Sequence, residues 1–104
     1  MTLRVVYRKA AKAELDEAIL YYERQRTGVG EELLSEIDQA VMRAAAHPEH
    51  FPVVFDNIRR ALAKRFPYTV FFRVRGSAPV VLAVLHGRRD PAVWQGRSSS
   101  FDVT

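Results

Sequence analysis

The spacing of apolar residues is helical in one long part of this chain and strand-like on both sides of it, and this pattern restricts the possible folds more than any other feature. Between Lys9 and Pro48, apolar residues recur every three or four positions, as they do on one face of a helix. The segment "TGVG" at 27–30 interrupts the pattern, which predicts two amphipathic helices folded into an antiparallel hairpin. The inward positions are Ala11, Leu15, Ala18, Ile19 and Tyr22 in the first helix, and Leu33, Ile37, Val41 and Ala44 in the second, with Leu34 and Ala40 flanking.

Strand-like sequences occupy most of the remaining chain. A β-branched run at 3–7 precedes the helices, and the runs 58–66, 68–75 and 79–87 follow them. Because residues two apart in a strand share a face, the run at 68–75 has two distinct faces. We predict that Tyr68, Val70, Phe72 and Val74 cover the helices, and that Thr69, Phe71, Arg73 and Arg75 lie on an open face with Arg73 near its centre. The order predicts an α+β fold, in which an N-terminal strand and an antiparallel helical hairpin pack on a small, mostly antiparallel sheet.

The 104 residues suffice for one domain, which we place at 1–97, with a flexible tail at 98–104. The absence of cysteine excludes disulfides and thiolate metal sites. The N-terminal sequence does not resemble a secretory signal, and the longest apolar run, "APVVLAVL", is shorter than the roughly 20 residues that span a membrane. We therefore expect a cytoplasmic protein without a membrane partner.

Charge divides the chain into two unequal parts. Residues 1–57 carry 7 Lys/Arg and 10 Asp/Glu, whereas residues 58–97 carry 9 Lys/Arg and a single acidic residue, Asp90. A strongly basic segment of this kind predicts a surface for nucleic acid or for an acidic protein segment. The alternative is that individual arginines form ion pairs with the acidic helices, which contribute little to stability.

Several segments in a fixed order resemble the RelE/ParE superfamily of toxins from type II toxin–antitoxin modules. They are "AELDEAILYYERQ", "GVGEELLSEIDQAV" ending on "HP", "RRALAKRFPYTVFFRV" and "LHGRRDP", and together they span about residues 3–95. The resemblance implies a partner antitoxin whose acidic C-terminal segment wraps around the toxin. It also implies one of two activities, either mRNA cleavage in the ribosomal A site, as in the RelE branch, or poisoning of DNA gyrase, as in the ParE branch.

The RelE branch needs side chains that transfer protons at its catalytic site, whereas the ParE branch acts by binding and does not need them. RNA cleavage without a metal needs a base for the 2′-hydroxyl and an acid for the leaving 5′-oxygen. The positions that correspond to the RelE-type site hold Arg60, Leu62, Thr69 and Arg89, with Trp94 and Gln95 near the position of its terminal tyrosine. Arginine keeps its proton, and the other residues do not exchange one usefully. The sequence thus favours a ParE-like, non-enzymatic gyrase poison.

Two alternatives stay open at this point. One is a ribosome-dependent endoribonuclease that acts on mRNA through Arg60, Arg73, Arg89 and His86, of which only the histidine has a pKa suited to acid–base work. However, His86 shares its parity with Leu82 and Val84, which favours a structural role on the apolar face. The other alternative is an inactive homologue that still binds its antitoxin.

The residues that we predict to bind the target or the antitoxin are basic, with one tryptophan among them. They are Arg59, Arg60, Arg73, Arg75, Arg88, Arg89 and Trp94. A tryptophan in such a surface is a frequent anchor of interfaces. We expect the antitoxin to neutralise the chain by covering this basic face of the sheet.

No cofactor and no metal ion are expected. His47 and His50 stand three residues apart, but Pro48 lies between them and no further ligands are evident in the sequence, so two solvated histidines are predicted. The "GVG" at 28–30 follows a helix and lacks the Lys-Ser/Thr of a phosphate-binding loop, which indicates a helix break.

Overall fold

Two helices and five strands are present in the described part of the chain, one strand more than the apolar periodicities predict. The structure is a computed structural model and describes residues 5–76, 78–87 and 95. The elements are β1 (Val6–Tyr7), α1 (Lys9–Gln25), α2 (Val29–Ala46), a 3₁₀ turn (Pro48–His50), β2 (Val53–Phe55), β3 (Ile58–Leu62), β4 (Tyr68–Arg75) and β5 (Ala78–His86).

The helical hairpin forms as predicted, and a tight connection fixes it. Gly28 has a φ of 94° directly before α2, a conformation that glycine adopts without steric cost. The carboxylate of Glu23 accepts hydrogen bonds from the backbone N–H groups of Gly28 and Gly30, at 3.0–3.1 Å, and so caps the start of α2. A Cβ at Gly30 would lie 2.7 Å from the carbonyl oxygen of Ile19, because the two helices touch there through their backbones.

The sheet has the strand order β1-β5-β4-β3-β2. β1 runs parallel to β5, and the other three pairings are antiparallel, which confirms the predicted mostly antiparallel sheet. One face of the sheet carries Val70 and Phe72 of β4 and packs on the helices. The buried helical residues there include Ala11, Leu15, Ala18, Leu33, Ile37, Ala40, Val41 and Ala44, as predicted from their spacing.

The other face of the sheet, called the second face below, is not the open surface that the sequence predicts. Phe71 is only 8% exposed and Arg73 only 3% exposed. Phe71 packs in a second apolar cluster together with Ile58, Val80, Leu82, Ala83 and Leu85, with Val54 against it. The prediction of an open face around Arg73 is therefore wrong, because apolar side chains of β3 and β5 surround the centre of β4 on this side.

A β-bulge explains why simple alternation fails along β5. The register with β4 shifts between Phe71 and Phe72, so that Leu82 is an extra residue in β5. Leu82 consequently lies in the cluster of the second face, whereas Val84 belongs to the core against the helices. Leu82 and His86 are an even number of residues apart, yet the bulge places them on opposite faces of the sheet. Val84 and His86 lie on the same face, as their spacing predicts.

The strands around the 53–66 region also differ from the prediction. β3 ends at Leu62 instead of continuing to residue 66, since residues 63–67 form the connection to β4. β2, which pairs with β3 through a two-residue turn at Asp56 and Asn57, is absent from the prediction. With three residues and a register shift, it is too short to show a period in the sequence.

Candidate functional site

The register of β3, β4 and β5 defines which side chains meet on the second face. Residues that pair directly across antiparallel strands point to the same side of a sheet. Arg60 pairs with Phe71, which pairs with Ala83. In the same way, Leu62 pairs with Thr69, which pairs with Leu85. On the second face, the row of Arg60, Phe71 and Ala83 therefore lies next to the row of Leu62, Thr69 and Leu85.

Three predicted site arginines lie on this face, but only two of them are exposed. Arg60 of β3 is exposed, and so is Arg75 at the end of β4. Arg73 pairs with Val80 between them and is buried. A buried guanidinium is retained only where polar groups compensate its desolvation, so Arg73 is part of the packing of this face. The exposed charges of the second face are therefore at its margins.

Three of the positions that the resemblance equates with the RelE-type site lie together on the second face. Leu62 lies directly opposite Thr69, and Arg60 occupies the neighbouring row. Leu62 is 55% exposed, whereas Thr69 is buried at 7% exposure. An arginine, a leucine and a buried threonine cannot exchange protons as a general acid and base must.

His86 lies on the opposite side of the sheet from Arg60 and Arg73. It pairs with Tyr68, and their rings meet edge to face with centroids 5.5 Å apart. His86 lines a groove of about 520 Å³ between α1 and the ends of β4 and β5, together with Glu14, Glu17, Tyr21 and Tyr22. The sheet therefore separates His86 from Arg60 and Arg73, two of the arginines proposed to cleave RNA with it.

Other cations of the basic segment face the helices. The Nη1 group of Arg59 donates a hydrogen bond of 2.7 Å to the carbonyl of Phe51 on the helical side. Arg65 forms ion pairs with Glu32 and Glu36 of α2, both at 3.4 Å. The alternative of ion pairing with the acidic helices is thus realised at Arg65.

Three residues with clearly shifted pKa values lie on the side of the helices. Burial, together with the negative Asp38, raises the pKa of Tyr7 to about 12. Burial also raises the pKa of Asp38 itself. At Glu36 burial would raise the pKa, but hydrogen bonds from the backbone of Lys64 and Arg65 outweigh it and hold the pKa below its usual 4.5. Perturbed titrating groups commonly accompany catalytic sites, and these three lie away from the second face.

Three of the predicted binding residues, Arg88, Arg89 and Trp94, lie outside the described residues, as does Asp90. Gln95, which stands near the position of the RelE-type tyrosine, is half-buried. The described contribution to the predicted surface is therefore Arg60, Arg73 and Arg75, with Arg59 on the other side.

Sequence reasoning missed the apolar cluster of the second face, although a signal for it was present. Residues 79–85 form a continuous apolar run. Strands that are buried on both faces have such runs, whereas strands with one solvated face alternate. The exposed Leu62 beside Arg60 was likewise not predicted as part of a binding surface.

None of the described helices is long and apolar enough to pass through a membrane.

The fold of this chain is similar to that of a chain in a solved structure. A chain of the solved structure "Chromosomal ParDE TA system from P. aeruginosa" is similar to this one with a TM-score of 0.69 and 18% sequence identity, over 81% of this chain and 95% of that chain. The molecule thus has the fold of a chain from a toxin–antitoxin complex. No match is found among curated proteins.

The family follows from the sequence. The model of the family described as "ParE toxin of type II toxin-antitoxin system, parDE" matches residues 5–91. The chain belongs to the ParE toxin family, and it is a ParE-type toxin of a toxin–antitoxin module. Membership implies an antitoxin as its partner.

Proposed function

We propose that this toxin inhibits growth by binding DNA gyrase in the cytoplasm and stabilising its complex with cleaved DNA, without chemistry of its own. Membership of the ParE family supports the proposal, because poisoning of gyrase is the activity associated with that branch of the superfamily. The mechanism would consist of binding alone. The residues that carry it would be exposed side chains that contact gyrase or the cleaved DNA.

The observation that carries the proposal is the set of side chains at Arg60, Leu62 and Thr69. These positions lie together on the second face, where a ribonuclease of this superfamily would need its acid and base. Guanidinium remains protonated, leucine has no exchangeable proton, and the threonine is buried. His86, the remaining candidate base, lies across the sheet. The alternative of an mRNA endoribonuclease therefore has no proton-transfer pair at Arg60, Leu62 and Thr69 on the second face.

The exposed cations at the margins of the second face suit a binding role. Arg60 and Arg75 are exposed on β3 and β4, and no acidic side chain belongs to the described rows between them. Charges in this position accelerate encounter with an anionic partner and orient it, with an effect that salt screens. We include Arg88, Arg89 and Trp94 in the proposed surface because they follow β5 in the sequence.

The antitoxin is proposed to neutralise the toxin on the same face. An acidic segment would pair with Arg60 and Arg75 and cover the exposed Leu62, which lies in the row next to Arg60 on the side away from Arg75. Because the toxin surface would then be occupied, gyrase and antitoxin would compete for it. An antitoxin that contacts only the acidic helical side would contradict this part of the proposal.

Purified toxin, gyrase and supercoiled plasmid provide the direct test. We expect inhibition of supercoiling and accumulation of cleaved plasmid, both suppressed by the antitoxin. The same preparation added to programmed ribosomes should leave the mRNA uncut. Cuts in the A site without an effect on gyrase would overturn the proposal in favour of the endoribonuclease. Normal growth after induction without antitoxin would instead indicate an inactive homologue.

Variants of the two exposed arginines test where the surface lies. Arg60→Ala and Arg75→Ala should each raise the toxin concentration needed for half-maximal gyrase inhibition by about tenfold, which corresponds to roughly 1.4 kcal/mol of binding free energy. Lys9→Ala is the matched control, since Lys9 is an exposed cation at the start of α1. Equal effects of all three substitutions would show that only net charge matters and would remove the second face from the proposal.

A further inference from the structure

The turn after α2 brings three potential metal ligands together. His47, Glu49 and His50 are all exposed, and their ligand atoms lie within 4.8 Å of one another. Nδ1 of His47 is 3.6 Å from Oε2 of Glu49, and Nε2 of His50 is 3.8 Å from the same oxygen. The sequence shows the two histidines, but only the fold shows that the carboxylate between them completes a set of three.

The backbone that carries these side chains is well fixed. The N–H of His47 donates to the carbonyl of Arg43 at the end of α2, and the N–H of His50 donates to the carbonyl of His47, both at 3.0 Å. Phe51 follows directly and packs edge to face on Phe72 in the core, with ring centroids 5.9 Å apart. Little backbone ordering is therefore left for a bound ion to impose, which favours binding.

The imidazole rings are also arranged together. The rings of His47 and His50 stack with centroids 4.8 Å apart and an angle of 15° between their planes. Zinc binds histidine nitrogen at about 2.0–2.1 Å, so two ligands of a tetrahedral ion lie about 3.4 Å from each other. The distances of 3.6 and 3.8 Å to the shared carboxylate oxygen are close to this separation. Because the two ring planes are nearly parallel, at least one imidazole must rotate before both nitrogens point at the same ion.

Charge around the turn permits a cation. Glu49 supplies a carboxylate whose Oε2 lies 3.6 Å from Nδ1 of His47 and 3.8 Å from Nε2 of His50. The end of α2 adds the negative pole of the helix dipole. Arg43 lines an adjacent hollow of about 400 Å³ with both histidines, but its Nη2 group donates to the carbonyl of Leu62 at 3.3 Å. Its charge is thus directed toward β3.

We propose that His47, Glu49 and His50 form a surface site for a divalent ion of the Zn²⁺ type, with water in the remaining position. Two imidazoles and one carboxylate suit zinc and its neighbours in the first transition series, and not calcium or magnesium, which prefer oxygen ligands alone. The site does not depend on the proposed action on gyrase. It gives the toxin a metal-binding function separate from the second face.

Calorimetric titration of the metal-free, untagged full chain with ZnCl₂ tests this site. We expect one ion per chain with a dissociation constant on the order of 10 μM, and no comparable heat with MgCl₂. His47→Ala, His50→Ala and Glu49→Gln should each weaken Zn²⁺ binding by at least about tenfold. All three residues are exposed, so circular dichroism should show that the variants stay folded.

His86→Ala is the matched control, because it removes the third histidine of the chain at a distant place in the fold. It should leave the affinity for Zn²⁺ unchanged. Absence of Zn²⁺ binding, binding that survives the double substitution of His47 and His50, or an equal loss in His86→Ala would overturn the proposal. Loss of binding in the histidine variants with no change in Glu49→Gln would overturn the assignment of three ligands.

Discussion

Arg73 and Arg75 show how two residues of one type on one strand can serve different purposes. They are two positions apart on β4 and point to the same face of the sheet. Arg73 lies at the centre, where it is 3% exposed among apolar neighbours, while Arg75 lies exposed at the strand end. Composition alone counts both as positive surface charge. The buried Arg73 contributes to the stability of the second face, whereas the exposed Arg75 is accessible from solvent.

This contrast predicts different effects of the same substitution. Arg73→Ala should lower the free energy of unfolding by about 3 kcal/mol, because it empties a buried volume and removes a guanidinium from its buried interactions. Arg75→Ala should change it by less than about 0.5 kcal/mol. Urea denaturation of both variants measures the difference. Similar stability of the two variants would contradict the burial of Arg73.

Tyr7 is a second residue whose environment has a measurable consequence. Its hydroxyl is buried and finds no hydrogen-bond partner among the described residues. Burial, with Asp38 nearby, raises its pKa from 10.0 to about 12. An unfolded chain therefore loses this proton before the folded chain does. The contribution of Tyr7 to stability is complete below pH 10 and is lost as the pH rises toward 12.

Tyr7→Phe should consequently make the free energy of unfolding fall less steeply between pH 10 and 12. Absorbance titration should also lose a tyrosine ionisation near pH 12. Tyr21→Phe is the control, since Tyr21 is exposed on α1. Identical pH profiles of the two variants would argue against a buried hydroxyl at Tyr7.

Among the secondary-structure elements, the connection between β3 and β4 is bound to α2 by hydrogen bonds and ion pairs. The backbone N–H of Lys64 donates to Glu36 at 3.2 Å, and the Nε group of Arg65 donates to the same carboxylate at 3.4 Å. Glu32, one turn earlier on α2, forms an ion pair with Arg65. The side chain of Glu36 is only 12% exposed, so solvent screens these contacts less than those of a surface pair. Acidic side chains of α2 thereby bind Lys64 and Arg65 of the basic segment.

The connection should be sensitive to acid. The hydrogen bonds lower the pKa of Glu36 below 4.5, so an unfolded chain binds this proton first as the pH falls. Its stabilising contribution is present above pH 4.5 and is lost as the pH falls through the lower pKa of the folded state. Glu36→Gln should reduce stability at neutral pH and flatten its decline below pH 4.5. Thermal denaturation at several pH values measures both effects, with the exposed Glu31→Gln as the control.

The elements also show what the sequence can and cannot predict. The helices were predictable because residues such as Leu33, Ile37, Val41 and Ala44 of the 18-residue α2 repeat at helical spacing. β2 has only three residues, which is too few for a period. The bulge at Leu82 leaves no mark in an apolar run, yet it changes the face of every residue beyond it. The predicted convergence of Arg60, Leu62 and Thr69 depended on the family resemblance, because it requires the register of β3 with β4.

At the scale of the whole molecule, folding distributes the charge excess of the C-terminal part over both sides of the sheet. Arg65 neutralises acidic residues of α2, and Arg59 binds a carbonyl beside the helices. Arg60 and Arg75 remain exposed on the second face. The net charge of +4 thus overstates the described basic surface, which consists of a few cations around an apolar centre. The buried residues of that centre are at most 8% exposed, so the exposed side chains of this face include its marginal cations and Leu62.

The most direct test of this account measures the amount of linear plasmid that gyrase releases after detergent and protease treatment, as the toxin concentration increases. Covalent gyrase–DNA complexes become linear DNA under these conditions, so the assay reports trapped cleavage itself. We predict a dose-dependent rise with the toxin, a weaker rise with the Arg60→Ala/Arg75→Ala double variant, and an unchanged rise with Lys9→Ala. A linear fraction that stays at the level of gyrase alone, in a preparation that cuts mRNA on ribosomes, would contradict the account.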